Sequence, residues 1–224
     1  MKCNFALQFA LEEEVSKEIR KNISQLDMIA GTRFYTGYGD SIIVCVGGVG
    51  KVNAAMSTQL LIERYKPGYV INCGVVGAFH DFDIGKILIP RYFVQHDVDT
   101  SGAGDEVGFV STVNKTGFGA WYISLDKAAS EVGLDVANIG CVATGDWFVT
   151  DGFRAEAIRS LFDATCVDME ACAIAQVCYR NSVKMGAIKS VSDIIGNEGK
   201  SYYPCFDKAV ESLGNAVDRM VRVM

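Results

Sequence analysis

Residues that build metal sites are scarce in this sequence. Among 224 residues there are two histidines, His80 and His96, and none of the eight cysteines belongs to a C-x-x-C pair. Structural zinc sites need closely spaced Cys and His ligands, so we expect no metal. Proline is also rare, with three residues, while half of the chain is hydrophobic. This balance is typical of a folded α/β protein and excludes a disordered or fibrous chain.

An excess of positive charge and long apolar runs are missing as well. The chain has 21 Lys and Arg against 27 Asp and Glu, a net charge of −6 and a pI near 5.0. Nucleic-acid binding requires a basic patch, so we expect no nucleic-acid partner. No apolar run reaches the roughly 18 residues of a membrane-spanning helix. The first residues turn acidic too early for a signal peptide, and the scattered cysteines are typical of reduced thiols in a cytoplasmic protein.

The hydrophobic pattern predicts one α/β domain over residues 1–224. Apolar runs predict strands at 4–9, 32–37, 41–46, 69–73, 85–95, 139–144, 165–167 and 185–191. Helical periodicity predicts helices at 11–23, 52–64, 124–132, 152–162, 171–181 and 206–223, with Ser124 and Asp151 as N-caps. The Gly-, Ser- and Thr-rich stretch 101–119 predicts a loop.

The most informative stretch is 165–193. It contains a short strand, the residues Asp168, Met169 and Glu170, an Ala-rich helix and a second strand that ends at Ser192-Asp193. Two strands joined by one helix predict a right-handed βαβ unit with parallel strands. Ligands of open α/β sheets bind at the carboxyl ends of the strands, so Glu170 and Asp193 are candidate site residues. Alternatively, the Glu170 carboxylate only interacts favourably with the dipole of the helix that it opens, and Asp193 only caps the next turn.

A glycine-rich segment, Gly47-Gly48-Val49-Gly50-Lys51, precedes the helix predicted at 52–64. It lacks the third glycine of a dinucleotide-binding fingerprint. It also lacks both the first glycine and the Ser or Thr of a phosphate-binding P-loop. The glycines instead indicate close approach of the backbone to a ligand or a neighbouring strand.

The pattern V-[DE]-M-E-A-x-A-x-A, followed by an apolar strand that ends in Ser-Asp, resembles the signature of the 5'-methylthioadenosine/S-adenosylhomocysteine nucleosidases. These belong to the purine and uridine phosphorylase superfamily. The resemblance also includes A-L-E-E-E-V at the start of the chain, G-x-G-K, and G-D-x-F-[IV] at 145–149, so it covers nearly the whole sequence. It implies a three-layer α/β/α sandwich around a central mixed, bent β-sheet, and hydrolysis of a purine N-glycosidic bond without a cofactor.

The resemblance also implies roles for individual residues. Glu14, the third Glu of the acidic run, matches the base that activates water, and Asp193 matches the acid that protonates the purine, oriented by Ser192. Residues that match the substrate-binding positions are Glu170, Met169, Phe148, Val149, Gly77, Val49 and Phe206. Family members pair as homodimers through the helix after G-x-G-K, so we expect Ala54, Ala55, Leu60, Leu61 and Ile62 to supply much of that surface.

Two other functions remain open. A phosphorylase would carry arginines after the first strand and before Gly74, whereas this chain has Leu11-Glu12-Glu13 and Ile71-Asn72 there. A non-catalytic nucleoside sensor would not need three carboxylates. The 5' pocket departs from the family, because the loop after His96 offers small or polar residues. Methylthioadenosine or adenosylhomocysteine is therefore the expected substrate, with adenosine or another 5'-modified purine nucleoside as the rival.

Overall fold

The computed structural model describes residues 4–79, 82–195 and 202–224. Its strands are β1 Phe5–Phe9, β2 Ile23–Ile29, β3 Thr32–Gly37, β4 Ile42–Val46, β5 Tyr69–Ala78, β6 Ile87–Gln95, β7 Gly117–Gly119, β8 Val136–Thr144, β9 Ala164–Asp168 and β10 Lys184–Ile194. Its helices are α1 Lys17–Arg20, α2 Lys51–Tyr65, α3 Ile123–Glu131, α4 Gly152–Phe162, α5 Ala171–Arg180 and α6 Tyr202–Val221. Short 3-10 turns occur at Glu12–Glu14 and Ser101–Ala103. The helices of the described ranges are too short or too polar to cross a bilayer.

The strands form one mixed sheet in the order β10-β6-β8-β9-β5-β1-β4-β3-β2, with β7 beside β6. Strand β1 runs parallel to β4 and to β5, and β5 runs parallel to β10. Strand β10 runs antiparallel to its other neighbour, β6. Because β10 pairs with both β5 and β6, the sheet bends until five of its strands form a closed ring. The prediction of a central mixed, bent sheet is confirmed.

Helices cover both faces of this sheet. The side chains of α2 and α5 pack on one face around Leu61, Ile174 and Cys178. Those of α1, α3 and α6 pack on the other face around Ile19, Leu125 and Leu213. Burial of these apolar side chains is the main force that holds the layers together. The predicted three-layer α/β/α arrangement follows from this packing.

The helix predicted at 11–23 is wrong. A 3-10 turn at Glu12–Glu14 is followed by the four-residue helix α1, and Ile23 already begins strand β2. The Ser16 side chain starts α1 by accepting a hydrogen bond from the Ile19 N–H, which separates this helix from the acidic turn before it. The predicted cap of α3 is also wrong, since Tyr122 and not Ser124 occupies that position.

The predicted parallel βαβ unit of β9, α5 and β10 is also wrong. β9 and β10 do not pair with each other; both flank β5, where β10 runs parallel and β9 runs antiparallel. β9 contacts only the last two residues of β5, Gly77 and Ala78. The strong bend of the sheet allows this change of direction, and it brings the carboxyl ends of all three strands to one place.

Candidate active site

A cleft opens where β5, β9 and β10 end. Its lining residues are Ala10, Leu11, Glu14, Val49, Val75, Val76, Gly77, Trp147, Phe148, Val149, Val167, Asp168, Met169, Glu170, Ser192 and Asp193. All of the predicted site residues except Phe206 are in this set. Phe206 lies in the first half of α6 and is not among the lining residues that the structure describes.

Gly77 is the point at which the three strands meet. It pairs with Val167 of β9 on one side and with Asp193 of β10 on the other. A Cβ atom at this position would lie 3.2 Å from the Asp193 Oδ2, which is closer than most side chains tolerate. A glycine here therefore keeps the Asp193 carboxyl group close to the β5 backbone.

Glu14 is buried and its carboxylate is held by three backbone donors. Oε2 accepts from the N–H groups of Ala10 and Leu11 at 3.1 and 3.0 Å, and Oε1 accepts from the Val75 N–H at 3.0 Å. A Cβ atom on Gly74 would lie 2.9 Å from Oε1. Burial raises the pKa of Glu14, although the backbone donors act in the opposite direction.

The three glutamates of the acidic turn have different environments. Glu12 points outward and accepts hydrogen bonds from Arg20, Arg33 and Tyr35. Glu13 is exposed, and only Glu14 is buried. The structure therefore brings the third glutamate of the run into the cleft, and Glu12 anchors the turn to β3 from outside.

Glu170 does not cap α5 with its side chain. Its Oε1 accepts a hydrogen bond from the Gly50 N–H at 2.9 Å, across the cleft wall. The first backbone N–H group of α5, that of Ala171, instead donates to the Asp168 Oδ2 at 3.0 Å. Burial and the neighbouring Asp168 raise the pKa of Glu170 to about 8.

Asp193 is buried beside Ser192. The Ser192 hydroxyl lies 2.7 Å from the Asp193 Oδ1 and 3.1 Å from the Val76 carbonyl oxygen, and it has one proton to donate. Burial raises the pKa of Asp193, while the Ser192 hydroxyl lowers it. Protonated Asp193 can donate to Ser192, which then donates to Val76, so the protonated carboxyl group also finds a hydrogen-bond partner in this geometry.

Sequence reasoning missed a buried ion pair behind these carboxylates. The Lys189 Nζ lies 2.7 Å from the Asp168 Oδ2, and both side chains are 1% exposed. The Thr144 hydroxyl donates to the other Asp168 oxygen at 2.6 Å. Burial alone would lower the pKa of Lys189, but Asp168, Glu170 and Glu14 raise it. The available signal was a lone lysine in the apolar strand 185–191.

The opposite wall of the cleft is aromatic and apolar. Phe148 is 45% exposed, Trp147 stacks under the Arg154 guanidinium at 3.9 Å, and Val149 is buried. Such a surface favours a flat aromatic ligand. Within the described ranges, no three His, Cys, Asp or Glu side chains are grouped as metal ligands would be. The cleft thus combines an apolar wall with three carboxyl groups of raised pKa, of which Glu14 and Asp193 are buried and Glu170 is partly buried. This combination is typical of acid–base chemistry.

Comparisons with known proteins identify relatives of this chain. The family model described as the phosphorylase superfamily matches residues 4–222. A 5'-methylthioadenosine/S-adenosylhomocysteine nucleosidase of Marinomonas sp. is 35% identical over 95% of this chain and 96% of the relative. A solved Helicobacter pylori nucleosidase of the same name has a TM-score of 0.90, 25% identity and 99% coverage of both chains. The H. pylori futalosine hydrolase has a TM-score of 0.91, 25% identity and coverage of 99% and 98%.

Proposed function

The chain belongs to the 5'-methylthioadenosine/S-adenosylhomocysteine nucleosidase family of the phosphorylase superfamily, and we propose that its cleft hydrolyses the N-glycosidic bond of purine nucleosides. It is an N-glycosyl hydrolase. The observation that carries the assignment is the convergence of Glu14, Glu170 and Asp193 on one cleft. Hydrolysis of this bond must make the purine a better leaving group and activate water, and each task needs an ionisable group.

Asp193 is the proposed acid. Its raised pKa favours the protonated form, which can donate to N7 of the leaving purine. Ser192 orients it, because the hydroxyl and the carboxyl group are 2.7 Å apart. Glu14 is the proposed base. Its carboxylate is held by three backbone N–H groups, so it accepts a proton from water without moving.

The remaining site residues hold the nucleoside. Glu170 accepts from the sugar hydroxyls, and Met169 packs against the sugar. Phe148 stacks on the purine, Val149 presents backbone groups to its edge, and Gly77 leaves room for the nucleoside. The support for these roles is that all five residues line the same cleft.

Water, and not phosphate, is the proposed nucleophile. None of the described residues that line the cleft is Lys or Arg, and Lys189, which lies behind it, is paired with Asp168. A phosphate ion would therefore meet carboxylates without a compensating charge. Purine release should proceed at the same rate with and without phosphate. A requirement for phosphate, with ribose 1-phosphate as product, would overturn this proposal.

The preferred 5' substituent is proposed to be methylthio or homocysteinyl, because Leu11 and Val49 give the cleft an apolar end. Phe206 is predicted to contribute as well. Adenosine is the rival, and the likeness to a futalosine hydrolase adds futalosine to the substrates that need testing. The decisive measurement is kcat/KM for methylthioadenosine, adenosylhomocysteine, adenosine, inosine and futalosine side by side. Inosine preference would refute the adenine assignment.

We also propose a cytoplasmic homodimer. The seven cysteines that the structure describes are free thiols, which fits a reducing compartment. The predicted dimer surface needs correction, because Ala54, Leu61 and Ile62 are buried within the chain. Val52, 77% exposed, and Met56 offer the exposed apolar surface of α2 instead. Sedimentation as a monomer at micromolar concentration would contradict the dimer.

A further inference from the structure

Helix α2 begins without a cap from its own side chains. Gly50 precedes Lys51, the first residue of the helix, and has no side chain to accept a hydrogen bond. Asp146, which follows β8, supplies the acceptor, since its Oδ1 lies 2.7 Å from the Lys51 backbone N. A carboxylate at this position also interacts favourably with the helix dipole.

A residue from a third loop completes a ring of hydrogen bonds with Lys51 and Asp146. Asp97, which follows β6, accepts from the Lys51 Nζ at 2.6 Å through Oδ1 and from the Asp146 N–H at 2.8 Å through Oδ2. Lys51 and Asp97 are partly covered, with side chains 18% and 28% exposed. We call Lys51, Asp97 and Asp146 the clamp. It joins the loop before α2, the loop after β6 and the loop after β8.

The clamp is connected to Glu170 through Gly50. Gly50 has φ 93°, and a Cβ atom there would lie 3.0 Å from the Asp146 Oδ1, so this turn rests against the clamp. From this position the Gly50 N–H donates to the Glu170 Oε1 at 2.9 Å. The same N–H favours the ionised form of Glu170, against burial and the charge of Asp168. The clamp therefore fixes the position of the Gly50 N–H group, which donates to Glu170.

We propose that Lys51, Asp97 and Asp146 are positioning residues, which hold the Gly50 amide against Glu170 and thereby set the affinity of the site for the sugar hydroxyls. This inference rests on the proposed function, in which Glu170 binds the sugar. A structural role alone would act differently. A partly exposed ion pair contributes little to folding, and any loss of folded protein lowers the measured kcat without changing KM.

The test compares Asp97→Ala, which removes both acceptors, with Lys51→Met, which keeps the apolar stem and removes the ammonium. For each variant we expect KM for the nucleoside to rise about tenfold, the effect of weakening one hydrogen bond between the site and the sugar. The inhibition constant of free adenine, which has no sugar, should stay within about twofold. Asp97→Asn keeps one acceptor oxygen and should recover part of the loss. Asp97→Ala should add little in a Glu170→Gln background, because coupled residues are not additive.

Asp27→Asn is the matched control. It alters an ion pair at the opposite end of α2, where Asp27 accepts from Arg64 at 2.6 Å, and should leave KM unchanged. An unchanged KM in both clamp variants would refute the positioning role of the clamp while the proposed function stands. An equal loss of affinity for adenine and for the nucleoside would do the same. A wild-type protein without turnover would instead refute the proposed function. The Kd of a nucleoside against that of adenine would then decide the clamp by the same criteria.

Discussion

Removal of the buried cation behind the cleft should destabilise the protein strongly. Lys189→Met replaces the ammonium by an apolar group of similar length and leaves Asp168 as a buried carboxylate without its counter-ion. The side chains of Lys189 and Asp168 are each 1% exposed, and the Lys189 Nζ lies 2.7 Å from the Asp168 Oδ2. Breaking a pair of this kind by removing one partner costs about 3–5 kcal/mol. The loss should be toward the upper end, because Glu14 and Glu170 also lose an attractive charge.

Urea unfolding at constant pH measures this loss as a change in the free energy of unfolding. Lys189→Met/Asp168→Asn tests the cause, since it removes both charges and should recover part of the stability. Lys86→Met removes a surface ion pair with Asp135, which is 93% exposed, and should have a much smaller effect. A loss below about 1 kcal/mol in Lys189→Met would refute the assignment of Lys189 as the counter-ion that holds the buried acids.

The other predictions concern the three carboxyl groups of the cleft. Asp193→Asn and Glu14→Gln should each abolish turnover while the protein still folds and binds a nucleoside analogue by titration; wild-type turnover in Asp193→Asn would exclude it as the acid. Gly74→Ala should lower kcat at least tenfold in a steady-state assay, because its Cβ would lie 2.9 Å from the Glu14 carboxylate; an unchanged kcat would contradict the need for a fixed base. Glu170 has a pKa of about 8 against an ordinary value of 4.5, so the folded state binds this proton more tightly and stability is lost as the pH rises from about 4.5 to 8. Relative to Glu170→Gln, the wild type should lose stability over this range in urea unfolding; parallel pH curves would rule out the raised pKa.

The sequence determined the local elements and the identity of the key stretch. The run from Thr165 to Asp193 contains a strand, an Ala-rich helix and a strand that ends in Ser-Asp, and the structure has β9, α5 and β10 there. Hydrophobic periodicity and composition predict helices and strands because these elements depend mainly on residues that are close in sequence. The sequence also predicted that Glu170 and Asp193 lie at the carboxyl ends of two strands, and both residues line the cleft.

Tertiary structure decided what depends on distant partners. The family resemblance selected Glu14 over Glu12 and Glu13, but the contact that holds it in the cleft is with the Val75 N–H, which lies 61 residues away, and no local pattern contains that contact. The direction of β9 relative to β10 depends on β5, which lies between them. Lys189 is tolerated in a buried strand only because Asp168 and Thr144 meet there. Side-chain direction and charge pairing are long-range properties, so they became visible only when the bent sheet brought these residues together.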